Sequence, residues 1–97
     1  MTNKLKGLLI PASGEIQELE IDNTLEALQK VVGGYIETVA VTTDVVAIVN
    51  EEGRILGLAP NVHIPGSVGD AFLVSVDGEE FASIPDDVIA MIRRIMK

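Results

Sequence analysis

Val45-Val46-Ala47-Ile48-Val49 is an unbroken apolar run, set between Asp44 and the polar corner Asn50-Glu51-Glu52-Gly53. A short run without alternation is expected of a strand covered on both faces, so the rest of the chain has to build around it. The preceding segment, Tyr35 to Val41, is rich in β-branched residues, and Thr42-Thr43-Asp44 breaks it; two adjacent strands are the simplest reading. Leu5 to Ile10 ends at the turn cluster Pro11-Ala12-Ser13-Gly14, after which Ile16, Leu19 and Ile21 mix with acidic residues, as in a half-exposed hairpin partner. Ala71 to Val76 is a further core strand, and Asp77-Gly78 turns it into Glu79-Glu80-Phe81. Ile55 to Leu58 reads as a short strand paired with the first run through a hairpin at Glu51-Glu52-Gly53, with Gly53 in the left-handed position.

Two segments carry the helical period instead. In IDNTLEALQKVVGG the residues Leu25, Leu28, Val31 and Val32 share one face, Asn23 is placed to cap and Glu26 to complete a capping box, and Gly33 or Gly34 ends the helix. In SIPDDVIAMIRRIMK the expected cap is Ser83. Asp86 and Asp87 suit the positive end of the dipole, and Arg93, Arg94 and Lys97 the negative end. Its expected apolar stripe is Val88, Met91, Ile92 and Ile95. The order of elements, without repeats or linkers, predicts a single α+β domain over residues 1–97. It has a mixed or mainly antiparallel sheet, an opening hairpin, one short helix packed on the sheet and a C-terminal helix, with the helices on one face.

Composition removes several classes of function. With no cysteine there is no disulfide, thiolate metal site or thiol nucleophile. A net charge of -8 sets the surface against nucleic acid and anionic membranes and favours a protein partner with a basic surface. The first apolar run is too short for a signal peptide, and no segment has the length of a membrane span, so a cytoplasmic protein is expected.

VGGYIE, IVNEEG and LGLAPN, in that order and spacing, resemble a family of small proteins of bacteriophages, plasmids and some cellular genomes that is catalogued only as a domain of unknown function. The landmarks are Gly33, Gly34, Tyr35, Ile36, Glu37, Asn50, Glu51, Glu52, Gly53, Leu56, Gly57, Leu58, Pro60 and Asn61. The resemblance covers nearly the whole chain and implies a mobile-element setting, with no activity attached.

Candidate chemistry is sparse. Glu51 and Glu52 are of the right type for acid–base work or a hard cation, yet consecutive residues at a strand end point apart, and the plainer reading makes them the centre of a turn entered through Asn50. Tyr35 and Glu37 should share one face of their strand and, with the Asn50 corner, form the first group to test for ligand or partner binding. Asn61 and the sole histidine, His63, lie in the longest irregular segment and complete the candidate set. A histidine-pair metal site cannot be built, no serine has a nucleophile-elbow context, and Gly33-Gly34 ends a helix where a phosphate loop begins one. No catalytic residue, metal or cofactor is therefore expected. The function expected is a noncatalytic binding or regulatory module of phage or mobile-element origin, acting by protein contact or small-ligand binding. The alternative is an acidic accessory protein that inhibits a host defence or nucleic-acid enzyme, and the least favoured is a metal-dependent hydrolase using Glu51, Glu52 and His63. A homodimer through Val88, Ile92, Ile95 and Met96 of the C-terminal helix is a further expectation.

Overall fold

The computed structural model describes residues 3–96. Its elements are β1 (Lys4–Ile10), β2 (Gln17–Asp22), α1 (Leu25–Val32), β3 (Ile36–Ala40), β4 (Val45–Asn50), β5 (Ala71–Asp77), β6 (Glu80–Ala82) and α2 (Asp86–Ile95). The strands form one sheet in the order β2-β1-β5-β4-β3, with β6 alongside the last residues of β5, and every pair among the described residues is antiparallel. This is the α+β domain that the element order predicts, with the opening hairpin at β1–β2 in the register Leu5 opposite Ile21.

Side-chain alternation splits the interior into two layers. On one face Leu5, Ile48, Phe72 and Val74 are buried under Leu28 and Val32 of α1, the helix that carries the chain from the β2 edge to the β3 edge. On the other, Leu8, Ile10, Ala47, Val49, Ala71 and Leu73 are buried with Ile84 and with Ile89 and Ile92 of α2. The sheet thus has one helix on each face, a correction to the expected one-sided arrangement, and the apolar run of β4 requires it. Val46 and Ile48 fill the α1 layer while Val45, Ala47 and Val49 fill the other.

Local details differ from the sequence reading at several places. Thr24, not Asn23, caps α1: its hydroxyl accepts from Ala27 N–H at 3.1 Å, and Gly33 takes the left-handed position at φ 78°. Ser83 does not cap α2; its hydroxyl accepts from the Lys6 N–H of β1 at 2.9 Å, and the first residue before the helix is Pro85. The buried stripe of α2 runs through Ile89 and Ile92, with Val88 and Met96 packed beside it, while Met91 and Ile95 are exposed. Two apolar residues follow each other at 88–89 and so widen the stripe toward the sheet, turning Met91 and Ile95 outward. Ile92, expected in a dimer contact, is committed to the chain's own core. Lys97 lies outside the described residues.

The largest difference follows β4. Ile55 to Leu58 is not a strand, because β3 and β5 already occupy both edges of β4. Residues 51–57 instead coil into a helical turn: Leu56 N–H donates to Glu52 O at 2.8 Å, Gly57 N–H to Arg54 O at 3.2 Å and Leu58 N–H to Gly53 O at 2.9 Å. This last pair of bonds is the Schellman closure, and its left-handed residue is Gly57 at φ 71°, not Gly53. Gly53 is required for space: a Cβ there would stand 2.9 Å from Val68 Cγ2.

Candidate functional site: an apolar groove beside an open sheet edge

α2 is tied to the β1 side of the sheet, by the ion pair of Lys6 with Asp86 and by the bond from Arg93 to Ile16 O, and a space opens on the same face beside β4 and β3. The space is a groove of about 590 Å³. Its floor is Ala47, Val49 and Leu73, one side is Glu37, Val39 and Val41 of the β3 edge, and Met96 marks the end of α2. The other side is built by the 51–57 turn, which contributes Glu51, Arg54 and Ile55, and by the 64–68 segment, which contributes Ile64 and Val68. Ile55 is 85% exposed and Val39 50% exposed, a concentration of apolar side chains facing water that the fold itself does not use.

Two buried asparagines hold the walls in place. Asn50, at the end of β4, donates from Nδ2 to Val32 O at 3.1 Å, and its Oδ1 accepts from Glu52 N–H at 2.8 Å. It thereby joins the C-terminus of α1 to the start of the 51–57 turn, while Glu51 N–H donates to Tyr35 O at 2.8 Å. Asn61 uses the same chemistry on the second wall. Its Nδ2 donates to Ile10 O and Gly69 O, each at 3.0 Å, and its Oδ1 accepts from His63 N–H at 2.8 Å and Ile64 N–H at 3.1 Å. Arg54 links the two walls by donating from its guanidinium to Gly66 O. Among the described residues no buried side-chain nitrogen or oxygen lacks a partner, and the amide nitrogen and oxygen of each asparagine are already bonded within the chain.

Of the residues singled out in the sequence, Glu37, Asn50 and Glu51 meet at this groove. Tyr35, expected to begin the strand, lies just ahead of β3 as a surface residue, 63% exposed, and joins the corner only through its carbonyl. Glu52 is exposed and lies outside the groove lining, which separates it from Glu51. His63 is half-buried and sits on another surface, with Nε2 2.7 Å from Gly14 O. Val39, Val41, Arg54, Ile55, Ile64 and Val68 were not identifiable as site residues. Their apolar members looked like strand or loop residues, and only the placement of α2 decides that they stay uncovered.

Electrostatically the groove rim is acidic through Glu37 and Glu51, with Arg54 engaged by Gly66 O. At the opposite edge of the sheet Glu18, Glu20 and Asp22 of β2 stand across from Leu8, Lys6 and Lys4 of β1. The hydrogen bond from Lys4 Nζ to Asp22, 2.7 Å, holds that ammonium above its ordinary value, and the bond from Lys6 to Asp86 does the same for Lys6. The acidic row is therefore interleaved with cations instead of forming a continuous phosphate-like strip. No three His, Asp or Glu side chains among the described residues converge as metal ligands, and no described helix is long and apolar enough to cross a membrane.

Comparison with known proteins gives no match among curated proteins or among solved structures. A family model does match, over residues 5–97, and by that match the chain belongs to the family described as a domain of unknown function, DUF3846.

Proposed function

We propose that this protein is a noncatalytic binding module whose contact surface is the groove between β3–β4 and the two loop walls. The single observation that carries the reading is the exposed apolar rim, Val39, Val41 and Ile55, around a groove floored by the core residues Ala47, Val49 and Leu73, on a face whose other half is packed under α2. Ordered walls support it: the turn and the 64–68 segment are fixed by satisfied asparagine bonds, so the groove exists before anything binds and little ordering entropy is spent on association. Acidic residues at the rim and a net charge of -8 favour a partner with a basic surface. A phage or other mobile-element setting rests on the motif resemblance and belongs to the same proposal.

The test is to capture partners from a host lysate, purify the captured protein and measure its binding to wild type, to Ile55→Glu and to Leu25→Glu. Leu25 is an exposed apolar residue on α1, on the opposite side of the sheet. Loss of binding with Ile55→Glu alone supports the groove. Equal binding by wild type and both variants, or loss with Leu25→Glu alone, contradicts it.

A further inference from the structure

The groove ends at β3, and β3 is a sheet edge. The bonds from Glu51 N–H to Tyr35 O and from Val41 N–H to Val45 O show that residues 35, 37, 39 and 41 direct their backbone groups to β4. In an antiparallel ladder the alternate residues point the other way, so Ile36, Thr38 and Ala40 present N–H and C=O to solvent, and no described residue bonds to them there. The two edges of this sheet differ. The β2 edge carries Glu18, Glu20 and Asp22, whereas β3 has no proline, no lysine and one acid, with Glu37, Thr38, Val39 and Ala40 all exposed. Charge and proline are the usual means by which proteins block strand pairing, and β3 has almost none of that protection.

We infer that β3 is the docking edge for an extended segment of a partner protein, added as a further strand, with apolar side chains beside Val39 and Val41 and a lysine or arginine opposite Glu37. This deepens the groove proposal and rests on it: the added strand supplies main-chain bonds to Ile36, Thr38 and Ala40, and its alternate side chains lie over the groove rim. Charge distinguishes this occupant from a second copy of the chain. In a symmetric antiparallel pairing of two β3 strands, Glu37 faces Tyr35, Val39, Val41, Thr43 or another Glu37 according to register, and residues 35–43 contain no cation. Two chains of net charge -8 also repel. A basic, apolar strand satisfies both terms; β3 itself satisfies neither.

The probe is an acetylated, amidated heptapeptide in which threonine alternates with valine, valine and lysine, together with its counterpart bearing glutamate for lysine, titrated into ¹⁵N-labelled protein. The expected result is saturable shifts and slowed exchange at the Ile36, Thr38 and Ala40 amides, with the glutamate peptide about fivefold weaker. Thr38→Pro removes an outward-facing donor without touching the β3–β4 ladder and should abolish binding while the remaining amide spectrum persists. Glu37→Lys, which leaves the backbone alone, should reverse the preference between the two peptides. The proposal is overturned by any of three results: no shift at the solubility limit of either peptide; shifts confined to the β2 edge; or peptide-independent, concentration-dependent shifts at Ile36, Thr38 and Ala40 with a dimer in sedimentation. Shifts at Ile55, Ile64 and Val68 without the edge amides also overturn strand addition, while leaving the groove reading intact.

Discussion

Asn50 Nδ2 lies 3.1 Å from the carbonyl oxygen of Val32 and 2.8 Å from the point where a Cβ on Gly34 would stand. One side chain therefore explains two separated landmarks of the sequence: the second glycine of VGGYIE leaves room for the asparagine of NEEG, which closes the last turn of α1. Asn50→Ala leaves the buried Val32 carbonyl without its partner and should cost about 2 kcal/mol in urea unfolding. Asn50→Asp should cost more at neutral pH. Its carboxylate cannot donate to Val32 O, so protonation is favoured in the folded state and the deficit should shrink as pH falls.

Gly34→Ala and Gly33→Ala should behave differently although the residues are neighbours. Gly33 has open space around it and a φ of 78°, so alanine there costs about 1 kcal/mol through backbone strain alone. At Gly34 the cost comes from Asn50. Chemical unfolding of Gly34→Ala, Asn50→Ala and the double variant should show the two losses to be non-additive by at least about 0.5 kcal/mol. Strict additivity would mean that the two sites do not share the corner.

Gly53→Ala should destabilise by about 1–3 kcal/mol, because the new methyl meets Val68 Cγ2, and Val68→Ala in the same chain should recover most of that loss. If Gly53 were needed for a left-handed conformation, shortening Val68 would recover nothing. Replacing Glu51 and Glu52 together by glutamine should leave the unfolding midpoint nearly unchanged, since both are exposed and hold the turn through backbone groups.

The hydrogen bonds of Lys4 to Asp22 and of Lys6 to Asp86 raise both lysines above their ordinary value of about 10.4. A lysine that holds its proton more tightly when folded adds stability that is complete below that value and lost as pH climbs through the folded one. Wild type should therefore lose more stability between about pH 9 and pH 12 than a Lys4→Gln, Lys6→Gln double variant. Urea midpoints across that range provide the measurement.

Much of this fold was legible in the residues. The apolar run of β1, the alternation of β2, the helical period of α1, the Asp77-Gly78 turn and the buried character of β4 all follow from local spacing. The continuous run at 45–49 already demanded cover on both faces, which a one-sided placement of the helices could not supply. What local spacing could not show was competition for partners. Ile55 to Leu58 has the composition of a strand, but β4 had its edges taken by β3 and β5, and the segment coiled instead. The groove is a consequence of the same kind, because no pattern in Val39 or Ile55 says where α2 will stop. Of the candidate residues, Asn50 and Asn61 proved to be builders of the walls, and Glu37 and Glu51 the polar rim.

The claim that everything else depends on is that the β3–β4 side of the α2 face is an apolar surface open to ligands. Methyl-labelled protein titrated with small uncharged probes such as isopropanol and cyclohexanol tests it directly. The expected result is saturable shifts clustered at the methyls of Val39, Val49, Ile55, Ile64 and Val68, with Leu5, Leu28 and Val74 of the α1 layer unmoved. Shifts clustered in the α1 layer, or none in the groove, would contradict it.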